Sequence, residues 1–182
     1  MAAIPALLYL LFTFYQFRDP SRTPPPIPLA VVAPIHGRVT EINETKDPWL
    51  KRDALVVTIE GNLLDIRSLY SPTEGKIVDQ WRTQEAEQTR NAVAYWIQTD
   101  EKDDVVLEIQ PRGQHGPMSF RYNPGERVGQ GRRVGYVNNG CIARVYLPAT
   151  SLVEVQLGMR LDAGADVLAK FVHLTNMAAG QE

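Results

Sequence analysis

The lone cysteine of the chain, Cys141, directly follows Gly140 in the stretch "YVNNGCIARVYLP" at residues 136–148. A cysteine thiolate is a strong nucleophile, so a thiol at this place can carry covalent chemistry. A free cysteine at the start of a strand is also commonly a small buried hydrophobic side chain. A single cysteine cannot form an intrachain disulfide, so nothing in the sequence requires an oxidising compartment.

The other residues that could bind a phosphate or a metal ion do not form convincing motifs. The stretch "GERVGQGRRVG" at residues 125–135 has glycine spacing similar to a phosphate-binding loop, but no strand-then-helix pattern surrounds it, so its glycines are predicted to lie in turns. The three histidines, His36, His115 and His173, are far apart and lack the spacing of metal ligands. No metal site is predicted.

Lys102 lies in the acidic string "TDEKDDV". It resembles the hairpin lysine that carries biotin or a lipoyl group in carrier domains. Its acidic neighbours are more simply explained by a solvated turn. A lipoyl-like carrier or adaptor domain therefore remains a hypothesis, and it requires modification of Lys102.

Short β-like segments would have to position any such site. Gly, Pro and Asn separate them at intervals of ten to twenty residues, which favours a mainly β fold, an antiparallel sandwich or barrel-like sheet. Gly75, Gly125, Gly135 and Gly140 are expected in turns or at strand ends. The stretch at residues 153–171 predicts two further strands. The main segments are residues 38–42, 54–60, 75–81, 91–99, 105–110 and 141–148.

The N-terminal stretch "AAIPALLYLLFTFYQF" at residues 2–17 contains no charged side chain. As a helix it would reach roughly 24 Å, less than the ~30 Å hydrocarbon core of a bilayer. A membrane-anchor helix is predicted at residues 1–18. A signal peptide and a buried core helix are the alternatives. Aromatic residues end the stretch and Arg18 and Arg22 follow it, which predicts a globular part that faces the cytoplasm.

The remaining domain boundaries follow from composition. Residues 19–35 are rich in proline and predict an extended tether. A β domain at residues 36–174 and a C-terminal tail at residues 175–182 complete the chain. The length of 182 residues is that of one domain with a short appendage, and the net charge of −2 gives no overall attraction to nucleic acid.

Several strings in a fixed order resemble the phosphatidylserine decarboxylase family in its short, single-domain form. They are "YQFRDPSRTPPPIP", "VVAPIHGRV", "LLDIRSLYSPTEGKI" and "GQGRRVGYVNNGCIARVYLP", with "GMRLDAGADVLAKF" closing the domain. The family has phrases similar to FFRDPxRxxP, VSPADGxV, DVHxNRxPxxGxV and GxRxGxIxFGSxxDVxLP. The resemblance covers residues 15–171.

The resemblance implies a chemistry for the Gly–Cys pair. In the family a Gly–Ser peptide bond is cleaved by its own serine, which becomes a pyruvoyl group. That group forms a Schiff base with phosphatidylserine and accepts the electrons released on loss of carbon dioxide. Gly140 and Cys141 occupy the cleavage position, His36 the position of the family's aspartate, and Arg67 the position of its histidine. Asp65 and Pro72 match the family.

Three functions remain open from the sequence. The first is a pyruvoyl-dependent lyase that converts phosphatidylserine to phosphatidylethanolamine, with Cys141 as the precursor. The second is a divergent, non-processing relative that acts at the membrane as a lipid-binding or partner-binding module without a cofactor. The carrier domain described above is the third. Membrane phospholipid is the expected partner of the first two, and no nucleic acid is expected.

Overall fold

The computed structural model describes residues 3–16, 25–83, 92–112, 118–138 and 140–173. These residues form one helix, α1 (Ala3–Gln16), and fourteen strands. All the strand pairs among them are antiparallel. The mainly β, barrel-like fold predicted from the sequence is confirmed, because the largest sheet curls into a half-barrel.

The six longest predicted strands are all present. The strands are β1 (Ala30–Val32), β2 (Gly37–Lys46), β3 (Asp53–Glu60), β4 (Ser68–Tyr70), β5 (Gly75–Thr83), β6 (Ala92–Gln98), β7 (Asp104–Pro111), β8 (Met118–Phe120), β9 (Arg127–Val128), β10 (Arg133–Val137), β11 (Cys141–Pro148), β12 (Leu152–Val153), β13 (Arg160–Leu161) and β14 (Val167–Lys170).

Three sheets organise these strands. The large sheet has the order β13-β2-β3-β11-β7-β6-β5-β9, so β11 lies near its centre. Two small sheets have the orders β1-β14-β12 and β4-β10-β8. β11 pairs with β3 on one side and with β7 on the other, although other strands separate β7 from β11 along the chain.

Apolar side chains cover both faces of the central strands. The main core contains alternate residues of these strands, including Val57, Leu107 and Val145. A second cluster on the same strands includes Val56, Val106 and Tyr146. Three tryptophans stack beside this second cluster, with ring centroids 5.6 and 6.3 Å apart. The near-continuous apolar sequence of β7 follows from burial on both faces.

The N-terminal helix α1 consists of 14 residues. The side chains of its residues Ile4 and 7–11 are large, apolar and exposed. Within the described part of the chain, no helix has both the length and the apolar character required to cross a bilayer. The remainder of the predicted anchor and the tail at residues 175–182 lie outside the described residues.

Part of the segment predicted as a tether belongs to the β domain. β1 pairs with β14, and the described residues 30–35 are buried. After the last proline of the "TPPPIP" run, the chain continues as the apolar string "LAVVAP", whose burial outweighs the preference of the preceding prolines for an exposed, extended chain. The β domain thus begins before residue 36.

The four glycines expected in turns or at strand ends have different outcomes. Gly75 begins β5, Gly125 lies in a turn and Gly140 immediately precedes β11. Gly135 instead lies inside β10, next to an irregularity in its pairing with β4. A Cβ at this position would lie 2.1 Å from the carbonyl oxygen of Ser119 in the neighbouring strand, so close strand contact is the reason for this glycine.

We expect Gly135→Ala to lower the free energy of unfolding by about 1–3 kcal/mol, the usual cost of overpacking. The backbone of β8 would have to move away from the new methyl group. Gly129→Ala is the matched control, because its Cβ would meet only the flexible side chain of Arg132, at 3.2 Å. Urea denaturation measures the free energy of unfolding of both variants. Equal stability of the two would show that the close contact has no energetic consequence.

Candidate functional site

Cys141 is the first residue of β11 and lies between β3 and β7 at one end of the large sheet. Its side chain is 2% exposed and belongs to the main core. The preceding residue, Gly140, has a φ of +73°, which side chains other than glycine rarely adopt. A Cβ on Gly140 would also lie 2.7 Å from the carbonyl oxygen of Gly61. Both the dihedral angle and the available space therefore require glycine before the cysteine.

Main-chain hydrogen bonds hold the carbonyl groups on both sides of this pair. The N–H of Arg112 donates to the carbonyl oxygen of Gly140 at 3.0 Å, and the N–H of Gly61 donates to that of Cys141 at 2.8 Å. A donor on the Gly140 carbonyl would stabilise negative charge on its oxygen if a nucleophile attacked the carbonyl carbon. The backbone is thus arranged in a way compatible with attack at this peptide bond.

The state of the thiol opposes such an attack. Burial raises the pKa of the Cys141 thiol to about 12; the nearby Arg112 guanidinium lowers this pKa, and the Asp65 carboxylate raises it. Removing a thiolate from water costs free energy that a single exposed cation does not offset. At neutral pH the thiol is therefore protonated.

His36 immediately precedes β2, and Gly61 lies between its backbone and that of Cys141. The carbonyl oxygens of His36 and Cys141 are 3.0 and 3.6 Å from the point that a Cβ on Gly61 would occupy. The imidazole of His36 is largely buried, and its Nδ1 is 3.0 Å from Oδ1 of Asp162. The contact is short, but it is not aligned as a hydrogen bond. It becomes an ion pair when the imidazole is protonated.

Arg67 immediately precedes β4 and contacts the segment that leads into the Gly–Cys pair. Its carbonyl oxygen accepts a hydrogen bond from the N–H of Val137 at 2.9 Å, and its Nη1 donates to Oδ1 of Asn138 at 3.1 Å. The structure thus brings Arg67 to the residues just before Gly140. A guanidinium is always protonated in proteins, so it cannot accept a further proton.

Asp65 lies two residues before Arg67 and is 7% exposed. Its carboxylate accepts hydrogen bonds from the N–H of Asn62 at 2.8 Å and from Nη2 of Arg160 at 2.6 Å. A buried carboxylate with these partners is stably held. Its negative charge acts on the Cys141 thiol, as described above.

Two residues near the site were missed by the sequence reasoning. Arg112 follows β7, which reaches Cys141 through the β7–β11 pairing, and Asp162 follows β13, which pairs with β2. Both contacts join segments that are distant in the sequence. Alternation of apolar and polar residues indicates a strand but not its partner, so no local signal could identify either residue.

The fold and the site define a mainly antiparallel β protein whose candidate site is a Gly–Cys peptide at the start of a central strand. The backbone of His36 lies across Gly61 from that of Cys141, and Arg67 contacts the residues just before Gly140. Within the described ranges, no group of three or more His, Cys, Asp or Glu side chains is placed to hold a metal ion.

Comparison with known proteins gives the family. The family model described as phosphatidylserine decarboxylase matches residues 9–169. A phosphatidylserine decarboxylase proenzyme of Nitrosomonas eutropha is 34% identical to this chain over 181 residues. The alignment covers 93% of this chain and 82% of the relative. The proenzyme of Nitrosomonas europaea has the same identity and coverage. The proenzyme of Cupriavidus metallidurans is 31% identical over 92% of this chain and 82% of its own. No solved structure matches this chain. The chain belongs to the phosphatidylserine decarboxylase family.

Because the thiol is buried and protonated, we expect Cys141 in the native protein to react at least about 100-fold more slowly than an exposed thiol with Ellman's reagent at pH 8. In guanidinium chloride one thiol per chain should react rapidly. Absorbance at 412 nm measures both rates, and Cys141→Ser provides the blank. Rapid labelling of the native protein would contradict the burial of this side chain.

Proposed function

We propose that this chain is a divergent, non-processing member of its family that acts at the membrane as a lipid-binding or partner-binding module of phospholipid metabolism. The observation that supports the proposal is the state of Cys141, which stands at the family's cleavage position. Its thiol is buried, and its pKa is raised to about 12. The group that would have to attack the Gly140 carbonyl is therefore in its unreactive form.

The size of these effects favours a non-processing protein. A thiol with a pKa of about 12 is ionised to roughly one part in 10⁵ at pH 7, against about three parts in 100 for an ordinary thiol with a pKa near 8.5. Loss of a positioned general base costs about 10²–10⁴ in rate, and Arg67 cannot replace the family's histidine in that role. Both losses affect one step, removal of the proton from the nucleophile, so their effects are not additive. The smaller thiolate fraction alone, about 3,000-fold, exceeds the roughly 10²–10³ in rate that one hydrogen bond to the attacked carbonyl contributes.

The family resemblance implies a pyruvoyl group derived from the residue at position 141. The residues present do not fit its formation, because the thiol is protonated and Arg67 cannot accept its proton. The proposed module accordingly has no cofactor.

An active lyase is the alternative function, and two observations favour it. The Gly140 carbonyl accepts a hydrogen bond from the N–H of Arg112, as a carbonyl under nucleophilic attack would require. The backbone of His36 lies across Gly61 from that of Cys141, and its side chain is an imidazole, a group that can accept a proton. In this alternative Cys141 supplies a pyruvoyl group and phosphatidylserine is converted to phosphatidylethanolamine.

Intact-mass measurement of the purified full-length chain distinguishes the two functions. We expect one species at the full mass of 20.4 kDa. Two fragments split after Gly140, the second with a carbonyl-reactive N-terminus, would establish the lyase instead. An added mass on Lys102 would support the carrier hypothesis.

The same measurement on variants tests which residues abolished processing. We expect His36→Asp, Arg67→His and Cys141→Ser together to give measurable self-cleavage, whereas each single change should not. Residues that act as one catalytic unit are strongly non-additive, so one restored partner is insufficient. Cleavage by Cys141→Ser alone would show that the nucleophile is the only defect.

Membrane association is the second part of the proposal, and exposed apolar side chains support it. Leu7, Leu8 and Leu11 of α1 are each more than half exposed. A short apolar helix of this kind can lie in the bilayer interface without crossing it. Arg18 and Arg22, which lie outside the described residues, follow the helix and favour a β domain on the cytoplasmic side.

A second apolar surface lies at the end of the β domain that carries the site. Leu63 and Leu64 are 59% and 53% exposed in the turn before Asp65, and Leu157 is 66% exposed in the turn before Arg160. The ion pair between Asp65 and Arg160, at 2.6 Å, joins these two turns. We call the exposed leucines of the two turns the apolar rim. A membrane that contacts the rim would bring phospholipid headgroups to the site.

Deletion of residues 2–17 should remove most of the binding to phosphatidylcholine vesicles, measured by flotation, and Leu64→Asp should weaken it further through the apolar rim. Leu152→Asp is the matched control, because Leu152 is similarly exposed, at 59%, but lies in β12 and not in either turn of the rim. Unchanged flotation of the deletion variant would count against attachment through the N-terminal helix. Equal effects of the two aspartates would count against the rim.

A further inference from the structure

A cavity of about 400 Å³ lies next to Arg67, and three arginines line it. Arg67 is the residue before β4, Arg121 is the residue after β8, and Arg133 is the first residue of β10. These three strands form one small sheet, with β10 in the middle. The cavity is therefore built on hydrogen-bonded strands, which gives its wall a fixed shape.

Hydrogen bonds to neutral groups orient two of the guanidinium groups. Nη1 of Arg67 donates to Oδ1 of Asn138 at 3.1 Å, and Nε of Arg133 donates to Oγ of Ser68 at 3.1 Å. These two contacts hold the guanidinium groups of Arg67 and Arg133 in position at the wall of the cavity. Asn138 and Ser68 line the same cavity.

The charge of the wall is one-sided. Among the described residues that line the cavity, three are arginines and none is acidic. Like charges that converge on one space repel each other, so an anion that enters it is stabilised by all three. Guanidinium groups also match the oxygens of phosphate in shape and can bind them through paired hydrogen bonds.

We propose that this cavity binds a phosphate monoester. A monoester carries a charge of about −1.5 to −2 at pH 7 and three strong acceptor oxygens, which suits three guanidinium groups better than the single charge of a diester. A volume of about 400 Å³ is also larger than a phosphate ion needs, so the organic part of the ester can enter with it. The phosphate can belong to a lipid headgroup or to a small soluble molecule.

The proposal deepens the proposed function, since it assigns a ligand chemistry to the site of a non-processing lipid-binding module. Arg67 replaces the proton-transferring histidine implied by the family resemblance. The same substitution that removes a general base thus supplies a permanent positive charge to an anion site. Arg121 and Arg133 surround the same space.

The binding test uses the full-length chain and glycerol 3-phosphate in isothermal titration calorimetry at low salt. We expect one site per chain, and about tenfold weaker binding for Arg121→Gln because a charge-assisted hydrogen bond is lost. Arg132→Gln is the matched control, since Arg132 is exposed and adjacent to Arg133 but does not line the cavity. Its affinity should stay within twofold of the original. Equal weakening by both variants, or binding of neither glycerol 3-phosphate nor the phosphatidic acid vesicles described below, would overturn the proposal.

Vesicle flotation distinguishes the two sources of phosphate. If the phosphate belongs to a lipid, the chain binds phosphatidylcholine vesicles with one-fifth phosphatidic acid more tightly than vesicles with one-fifth phosphatidylglycerol, a diester, and Arg121→Gln removes the difference. If the ligand is soluble, calorimetry shows the site and the two vesicles bind equally. Pure phosphatidylcholine vesicles report the membrane association of the proposed function separately, because they carry no monoester. If the chain binds glycerol 3-phosphate but not pure phosphatidylcholine vesicles, the proposed membrane association is wrong and the phosphate site stands. If it binds these vesicles but neither glycerol 3-phosphate nor phosphatidic acid, the phosphate site is wrong and the membrane association stands.

Discussion

The close contact between Gly61 and Gly140 determines where the candidate site can lie. A Cβ on Gly140 would come within 2.7 Å of the Gly61 carbonyl oxygen, so β11 can begin beside the end of β3 only with glycine at this position. The adjacent hydrogen bond from Gly61 N–H to the Cys141 carbonyl continues the register of the two strands. A shift of one residue in that register would turn the Cys141 side chain to the opposite face of the sheet.

This placement also determines the chemistry of the thiol. Cys141 begins a central strand, so neighbouring strands cover it on both sides, and burial is the largest cause of its raised pKa. Asp65 adds to the rise and is itself held by Arg160 and the N–H of Asn62. The surroundings of the cysteine therefore favour its neutral form, although the backbone around Gly140 is compatible with nucleophilic attack.

The sequence predicts the long strands well because each contains enough residues to show a pattern. Strands of two or three residues, such as β1, β4 and β9, are shorter than any recognisable period. β1 was hidden for a second reason, since it follows a proline run and is held in the fold by β14, far along the chain. Gly135 shows the same limit: its requirement for glycine comes from Ser119 in another strand.

The site residues also fall into two groups, those that the sequence identifies and those that only strand pairing brings to the site. The resemblance to a family identified the positions of Gly140, Cys141, His36 and Arg67, and the structure brings their chain segments to one end of the fold. Their roles remain predictions. Arg112 and Asp162 could not be found in this way, because each reaches the site through strand pairing between distant segments.

The replacements at the site are consistent with one another under the proposed function. Self-processing needs a nucleophile that can lose a proton near neutral pH and a neighbour that can accept it. A thiol with a pKa of about 12 and a guanidinium both keep their protons under these conditions, so neither can take part in rapid proton transfer. A side chain that always stays protonated is suitable for an anion site, because its positive charge is present across the whole physiological pH range. The fold that aligned a peptide bond for cleavage in the family would then serve here to hold three cations around one cavity.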